Sequence, residues 1–294
     1  VFLSDVAPTA PRRGIPAESR GPALQVEGIR KSYAGVSAVV GVDLSLAGGA
    51  VVGVIGSNGA GKTTLFDIIS GFVAPDAGRV LLQGGDVTAA SPAERAAAGL
   101  GRTFQDLRLL PSMTVTEVLA VAHERSVEVR EPLASVLGLS AMLRSEAAVQ
   151  EHVEELLGEF HLERYATSFI EELSTGTRRV VEMAAVCAHQ PSVLILDEPS
   201  SGLAQAEAEA MVELILNLRA RTGAAVALIE HDIPMIKALS DRVVCMHLGA
   251  VIAEGTPDQV LADEKVIAAY LGMDDAAVQR SRPRRGRRRV VAGV

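Results

Sequence analysis

The chain has 294 residues, of which 48% are hydrophobic and 22% charged, and its formal net charge is −8. This composition is typical of globular proteins. The acidic balance argues against general nucleic-acid binding, and no apolar run reaches the roughly 18 residues that cross a bilayer. Cys187 and Cys245 lie in apolar patterns, which predicts reduced, buried thiols. Together with the lack of a secretory signal pattern, these features indicate a cytoplasmic protein.

Both ends of the chain differ in composition from its middle. Residues 1–22 are rich in Pro, Gly and Arg and are expected to form a flexible leader or linker. Residues 276–294 carry seven arginines and no acidic residue, so a disordered tail is expected, with contacts to anionic lipid or RNA as the alternative. A first residue of Val indicates either an unusual start codon or a piece of a longer chain.

Between these ends, residues 23–275 show the pattern of an α/β domain. The segment "AVVGVIG", residues 50–56, is a continuous apolar run that ends in glycine, as a buried strand does. A helix is expected from about Lys62 to Ser70. Further strands are predicted in "ALQVEGIR", "AVVGVDLSL", "RVLLQG" and a stretch that ends near Gln105.

The second half of this domain begins with a helical block. Residues 107–190 carry few strand signals and are expected to form an inserted α-helical subdomain, with "EAAVQEHVEELLGEF" as its clearest amphipathic helix. Strands return at residues 192–197 and 224–230, and residues 241–255 are expected to form an antiparallel pair. Two short helices are then expected to close the domain.

A nucleotide-binding loop is predicted in "GSNGAGKTT", which matches G-x-x-x-x-G-K-[ST] and lies between a strand and a helix. Its glycines let the backbone curl, so that N–H groups and the helix N-terminus face a phosphate. Lys62 is expected to contact the β- and γ-phosphates, and the Thr63 hydroxyl to bind Mg²⁺. The nucleotide-binding residues predicted here are Gly56, Ser57, Asn58, Gly59, Ala60, Gly61, Lys62, Thr63 and Thr64.

Two carboxylates end the apolar run in "VLILDEP", residues 193–199. Asp197 is placed to hold Mg²⁺ and so to bind the nucleotide, while Glu198, which points elsewhere, is placed to polarise a water for attack on the γ-phosphate. A GTPase would carry an N/T-K-x-D guanine-binding motif, and the sequence has none. The two motifs therefore predict a nucleoside triphosphatase, with a small-molecule kinase still open as the alternative.

Three further features follow a definite order along the chain. Gln105 precedes the helical block, "ELSTGT" follows most of it, and His231 comes after the strand "AAVALIE". Over residues 23–272 this order resembles the ATP-binding subunits of ABC transporters. The resemblance implies a P-loop NTPase core with an N-terminal antiparallel β portion and an inserted α-helical subdomain, and it implies ATP and Mg²⁺ as cofactors.

The resemblance also implies roles for single residues. Tyr33 stands where the family has an aromatic side chain that stacks on adenine, with a surface-turn tyrosine as the alternative. Gln105 would sense Mg²⁺ and the attacking water, and His231 would contact the γ-phosphate and help to orient Glu198. The predicted catalytic residues are thus Glu198, His231 and Gln105, and the predicted metal ligands are Thr63, Gln105 and Asp197.

The stretch "LSTGT", residues 173–177, differs from the family pattern L-S-G-G-Q. Ser174 and Gly176 are kept, and Ser174 is expected to cap the following helix or to bond the γ-phosphate of an ATP held by the opposite subunit. Thr175 adds a Cβ where glycine allows close approach of the backbone. This altered signature favours a heterodimer with a second ATP-binding subunit, and a homodimer is the alternative.

Two segments around the signature complete the comparison with the family. The helix that follows the signature is expected from about Thr177 to His189. The segment "SSGLA", residues 200–204, occupies the loop through which the family's subunits contact each other. That loop commonly ends in an acidic residue, and here it ends in Ala204.

Finer features resemble the branched-chain amino acid importers within this family. They are "GLGRTFQDLRLLPSMTVTEVLAVAHE", "IEHDIPMIKALSDRVV" and the ending "AEGTPDQVLADEKVIAAYLG". Urea and short-amide importers share much of this pattern and stay open as alternatives. Exporters, non-transport ABC ATPases and a cassette that binds ATP without turnover are the remaining alternatives.

The resemblance further implies partners and a location. Membrane permease subunits would be direct partners, held through a short helix in a groove near Gln105 and "LRLLPSMTV". A substrate-binding protein would take part indirectly, and no specific nucleic acid is expected. The chain would act as a peripheral subunit on the cytoplasmic face of the plasma membrane.

Overall fold

The computed structural model describes residues 21–104, 109–124 and 139–269, without the side chains of residues 124 and 139–146. Most of the predicted leader and all of the predicted basic tail lie outside these ranges, as does Gln105. Within them, no helix is both long enough and apolar enough to cross a membrane.

Two β-sheets form the framework of the described domain. The strands are β1 (Leu24–Tyr33), β2 (Val36–Leu46), β3 (Val51–Gly56), β4 (Ala77–Leu82), β5 (Gly85–Asp86), β6 (Leu100–Arg102), β7 (Val193–Asp197), β8 (Ala225–Ile229), β9 (Arg242–His247) and β10 (Ala250–Gly255). One sheet is antiparallel and has the order β2-β1-β4-β5. The other has the order β10-β9-β3-β8-β7-β6 and is parallel apart from β10.

The central strands of the mixed sheet are buried on both faces. Every residue of β3, β7 and β8 is buried. Successive side chains of a strand point to opposite faces. Val51 and Ile55 accordingly belong to one hydrophobic core, and Val52 and Val54 to the other. Two covered faces require apolar residues at every position, which explains the continuous apolar runs in the sequence.

Helices cover both faces of this sheet. They are α1 (Lys62–Ile69), α2 (Pro92–Ala97), α3 (Val115–Glu124), α4 (Leu139–Glu159), α5 (Thr175–Cys187), α6 (Gln205–Thr222), α7 (Ile233–Leu239) and α8 (Pro257–Leu261). Residues 264–269 are also helical. Leu65 and Phe66 of α1 share a core with both sheets, so α1 and the loop before it lie between the two sheets.

The predicted helical subdomain is present in the described part of the chain. Val115 and Leu119 of α3 pack with Val153 and Leu156 of α4 and with Val181 of α5. These side chains join the core on one face of the mixed sheet, so the subdomain is anchored to the sheet rather than separate from it. The structure therefore confirms the predicted fold class, with its antiparallel portion, parallel core and helical insertion.

Two predicted boundaries differ from the structure. The signature helix begins at Thr175 rather than near Thr177, because Ser174 is its extended N-cap and accepts a hydrogen bond from the Thr177 N–H. The strand before Gln105 ends at Arg102, although the Thr103 N–H still donates to the Ile195 carbonyl at 2.9 Å.

Both cysteines are free and buried, as the sequence predicted. Burial in apolar surroundings disfavours a thiolate. It raises the pKa of Cys187 and raises the pKa of Cys245 to about 11. Cys187 and Cys245 are thus core residues that pack as small apolar side chains.

Candidate nucleotide-binding site

The glycine-rich loop from Gly56 to Gly61 joins β3 to α1 and is packed against two other strands. A Cβ added to Gly56 would lie 2.2 Å from the Met246 carbonyl oxygen, and one added to Gly61 would lie 2.2 Å from the Ala38 carbonyl oxygen. Gly61 also has a φ of 98° at the N-cap of α1. No other residue fits these two positions without a shift of the backbone.

Hydrogen bonds from the turn between β9 and β10 hold this loop in place. The Gly249 N–H donates to the Ala60 carbonyl at 3.0 Å, and the Val40 N–H donates to the Gly249 carbonyl at 2.8 Å. The loop is therefore bonded to the turn between β9 and β10, and this turn is itself bonded to β2. The N-terminus of α1 follows directly and supplies N–H groups that favour an anion.

Lys62 is the first residue of α1 and lies over the loop. Its Nζ donates to the Gly56 carbonyl at 2.6 Å and to the Ser57 carbonyl at 3.1 Å. Burial lowers the pKa of the Lys62 amine, and the nearby carboxylates of Glu198 and Asp197 act in the opposite direction. The predicted phosphate-binding amine thus lies close to both predicted acidic residues.

Asp197 is the last residue of β7 and is 3% exposed. Its Oδ2 lies 3.2 Å from Nη2 of Arg102, and its N–H donates to the Thr103 hydroxyl at 3.3 Å. Burial raises the pKa of the Asp197 carboxyl, and the Arg102 guanidinium offsets part of this rise. Arg102 was absent from the sequence prediction because nothing in the local pattern marks it as a partner of Asp197.

Glu198 and His231 come together although they follow different strands. Asp197 pairs with Ile229 in the parallel ladder of β7 and β8, so the residues after both strands meet at one edge of the sheet. Oε1 of Glu198 lies 3.2 Å from Nε2 of His231, with side chains 20% and 43% exposed. Glu198 has a φ of 50°, a backbone conformation that is uncommon for a residue other than glycine.

A buried carboxylate that sequence reasoning missed organises the same edge. Glu230 is 2% exposed and accepts hydrogen bonds from the N–H groups of Ser200, His231 and Asp232, at 2.8, 3.0 and 3.3 Å. It therefore fixes the backbone of His231 and that of the loop after Glu198. The sequence did contain a signal for this carboxylate, because Glu230 is an acidic residue that directly follows an entirely apolar strand.

The backbone just before Gln105 is held by the signature helix α5. The Phe104 N–H donates to Oε1 of Glu182 at 3.1 Å, and Nη1 of Arg179 donates to the Phe104 carbonyl at 2.8 Å. Both α5 side chains are buried. Gln105 lies outside the described residues, so its predicted roles in catalysis and metal binding stay predictions.

Tyr33 lies at the end of β1, beside the turn into β2. Its side chain is exposed, and Nζ of Lys31 lies 5.6 Å from its ring centroid. The hairpin continues into Ala38, whose carbonyl contacts the Gly61 position of the loop. The strand pairing thus places the predicted adenine-stacking residue on the hairpin that packs against the phosphate loop.

The altered signature forms a capped and well-packed helix start. The Ser174 hydroxyl accepts a hydrogen bond from the Thr177 N–H at 3.2 Å and lies 3.0 Å from the Thr177 hydroxyl. A Cβ on Gly176 would lie 2.7 Å from Oε1 of Glu207, and one on Gly202 would lie 3.7 Å from Cγ2 of Thr175. The extra threonine therefore faces the loop between Glu198 and α6.

The loop after Glu198 ends at Ala204, which is the N-cap of α6 and makes no side-chain hydrogen bond to the helix. The carboxylate of Glu207 takes over part of that role, because its Oε2 accepts the Ala204 N–H at 3.0 Å. The same carboxylate packs against Gly176. Although Ala204 has no polar side chain, Glu207 therefore connects this loop to the signature.

The fold and the site together define a class of protein. A glycine-rich loop between a buried strand and a helix, an acidic pair at the end of a neighbouring strand, and a histidine just after the next strand form the site of a P-loop nucleoside triphosphatase. The antiparallel sheet and the helical insertion with its capped signature make it an ATP-binding cassette.

The chain belongs to the ABC transporter family. The family model described as ABC transporter matches residues 39–201, and a model described as branched-chain amino acid ATP-binding cassette transporter matches residues 250–276. Membership in this family makes the chain an ATP-binding subunit that hydrolyses ATP.

Individual relatives and solved structures agree with this assignment. The chain is 38% identical over 251 residues to the high-affinity branched-chain amino acid transport ATP-binding protein BraF of Pseudomonas aeruginosa, covering 85% of this chain and 98% of BraF. It is 36% identical over 250 residues to the lipopolysaccharide export system ATP-binding protein LptB of Acidithiobacillus ferridurans. This alignment covers 85% of this chain and 96% of LptB. A crystal structure of a nucleotide-free ATP-binding cassette from an ABC transporter superposes with a TM-score of 0.73 at 32% identity. The match covers 85% of this chain and 98% of that one.

Proposed function

We propose that this ATPase powers the import of branched-chain amino acids through a membrane permease. The observation that carries the enzymatic part is the contact of Glu198 with His231 at the strand ends, close to the buried Lys62 of the phosphate loop. The likeness to BraF and the match of residues 250–276 support the choice of substrate. The substrate itself would not touch this subunit.

The residues present fit a magnesium ion bound together with ATP. Thr63 on α1 and Asp197 on β7 offer a hydroxyl and a carboxylate, the hard oxygen donors that Mg²⁺ prefers. Among the described residues, no group of three or more His, Cys, Asp and Glu side chains forms a metal cage. Mg²⁺ bound through one carboxylate and the phosphates needs none, and it would neutralise charge on the phosphates.

Glu198 is proposed to accept the proton of the water that attacks the γ-phosphate. A base must lie within reach of that water, and Glu198 lies at the edge of the sheet where the Lys62 amine also lies. His231 holds one Glu198 oxygen and is proposed to contact the γ-phosphate. Gln105 is proposed to complete the site when the permease is bound, and Tyr33 to stack on adenine.

Two cassettes are proposed to hold two ATP molecules, each between one phosphate loop and the opposite signature. Ser174 and Gly176 would contact the partner's γ-phosphate at the N-terminus of α5. Because Thr175 adds a side chain at this exposed surface, a second ATP-binding subunit with an unaltered signature is the proposed partner. This heterodimer would act on the cytoplasmic face of the plasma membrane, with a substrate-binding protein on the other side.

Uptake by the source cells tests the substrate. We would compare labelled leucine, isoleucine and urea uptake in cells that carry the intact chain or Glu198→Gln at equal expression, with Glu213→Gln on the exposed face of α6 as the matched control. Loss of leucine and isoleucine uptake only in Glu198→Gln supports the proposal. Loss of urea uptake alone identifies a urea importer, and unchanged uptake of all three would point to another cargo, including export as in the LptB relative.

A further inference from the structure

Arg102 lies between two carboxylates directly beside the proposed metal ligands. Its Nη2 is 3.2 Å from Oδ2 of Asp197, and its Nη1 is 2.8 Å from Oδ1 of Asp67. The side chains of Arg102 and Asp197 are only 6% and 5% exposed. The guanidinium therefore lies largely out of water and is neutralised by the two acids.

The two carboxylates belong to the elements that carry the proposed metal ligands. Asp67 is one helical turn after Thr63 on α1, so both side chains lie on one face of that helix. Asp197 ends β7, and Arg102 pairs with Ile195 of the same strand. The arginine thus ties the ligand-bearing face of α1 to the ligand-bearing end of β7.

Aromatic rings restrict the guanidinium further. Its Cζ lies 4.9 Å from the ring centroid of Phe104 and 5.7 Å from that of Phe72, and the two rings meet edge to face at 5.5 Å. Such contacts favour a cation over a ring face. Since Phe104 precedes Gln105, the position of Arg102 is also linked to the start of that segment.

The buried Arg95 shows what a purely structural arginine looks like in this chain. Its guanidinium donates to four backbone carbonyls, those of Ile68, Ile69, Thr88 and Ala90. Arg102 faces carboxylates instead. In the part of the chain that is described, its Nε and Nη1 are buried without hydrogen-bond partners, and Nη1 meets Asp67 only as an ion pair. A group that serves packing alone would gain more from carbonyls, as Arg95 does.

We propose that Arg102 is a positioning residue for metal binding, which holds Oδ2 of Asp197 and thereby directs Oδ1 toward the magnesium ion bound with ATP. The proposal rests on the proposed function, because it concerns the same site. A planar guanidinium has a fixed fork that orients a carboxylate, and a partner that orients a metal ligand sets metal affinity. The ion pair with Asp67 restrains the guanidinium from its other side.

The test measures how strongly Mg²⁺ improves nucleotide binding by the full-length chain. A fluorescent ATP analogue is titrated in EDTA and at increasing Mg²⁺ concentration, and melting of the nucleotide-free protein is recorded beside it. Arg102→Gln is expected to raise the Mg²⁺ concentration for half-maximal effect by about 10- to 100-fold. Its affinity for the analogue in EDTA is expected to stay within about twofold, because phosphate contacts of the loop are untouched.

Three variants separate positioning from stability. Arg102→Lys keeps the charge without the fork and should restore part of the Mg²⁺ response. Asp67→Asn leaves Arg102 paired with Asp197 and should give a smaller rise in the Mg²⁺ requirement, which keeps the test open if Arg102→Gln does not fold. Arg79→Gln, from the exposed ion pair with Glu27, should change neither quantity.

The outcomes distinguish this inference from the proposed function. Failure of the wild-type chain to bind the ATP analogue would overturn both. Wild-type binding combined with an unchanged Mg²⁺ requirement in Arg102→Gln and Asp67→Asn would overturn the positioning role alone, whatever their melting temperatures. Equal loss of binding in EDTA and in Mg²⁺ would also overturn it, because Arg102 would then support the whole site.

Discussion

Nε2 of His231 lies 3.2 Å from Oε1 of Glu198, and this contact joins the ends of two neighbouring parallel strands. It orients a carboxylate that is only partly exposed, next to the phosphate loop. Such an arrangement would hold the proposed base in place without burying it completely, so that a water could still approach.

Replacement of Glu198 by glutamine removes the proposed base with little change of shape. We expect the ATPase rate of the assembled transporter to fall by about 10²- to 10⁴-fold while ATP binding is kept. Phosphate release and binding of a fluorescent ATP analogue measure the two effects. Lys62→Ala should instead lose ATP binding and hydrolysis together, whereas turnover by Glu198→Gln at the wild-type rate would assign the base elsewhere.

Gly56→Ala tests the close approach of the loop to β9. Its new Cβ would lie 2.2 Å from the Met246 carbonyl oxygen, so the free energy of unfolding should fall by about 3 kcal/mol. Gly59→Ala is the matched control, because Gly59 has a φ of 79° but open space around it, and should cost about 1 kcal/mol. Equal losses in urea denaturation would show that backbone strain, and not the contact with Met246, requires glycine at residue 56.

Glu230→Gln tests the buried carboxylate below His231. An amide keeps one acceptor oxygen and turns its NH₂ group toward backbone N–H donors, which should lower the free energy of unfolding by about 1–3 kcal/mol. Because either Ser200, or His231 together with Asp232, then loses its acceptor, we also expect a lower kcat at unchanged ATP affinity. Exposed Glu213 supplies the control, and a stability loss with normal kcat would make Glu230 structural only.

The histidine pair of the helical subdomain should make the domain sensitive to acid. The rings of His123 and His152 lie 4.2 Å apart, and Nδ1 of His123 and Nε2 of His152 are buried without hydrogen-bond partners among the described residues. Burial first, and then His152, lowers the pKa of His123 from its ordinary value of 6.5. Two acids face His152: Glu155, whose carboxylate lies 3.4 Å from Nδ1 of His152, and Glu159, which interacts with it electrostatically.

A lowered pKa in the folded state means that the unfolded chain binds a proton more readily. The contribution of neutral His123 to stability is therefore present above about pH 6.5 and is lost as the pH falls. The melting temperature should drop between pH 7.5 and pH 5.5, and His123→Gln should flatten this drop. His161→Asn, at an exposed position with a φ of 53° that asparagine tolerates, should follow the wild type. Parallel curves for wild type and His123→Gln would refute this origin.

Local sequence determined the parts of this protein that depend on neighbouring residues. Continuous apolar runs predicted β3, β7 and β8 because strands covered on both faces need an apolar residue at every position. The loop glycines predicted the phosphate loop, because a tight turn and a close backbone approach require them. Ser174 predicted a capped helix start, but the predicted bounds of that helix, about Thr177 to His189, were each two residues too late.

Tertiary structure alone decided which distant side chains meet. The parallel register of β7 and β8 brings His231 to Glu198, and the burial of Glu230 gives it three backbone donors. The pairing of β6 with β7 places Arg102 between Asp67 and Asp197. These contacts depend on strand order and on helix packing, which arise from long-range burial of apolar surface, and no local pattern of residues encodes them.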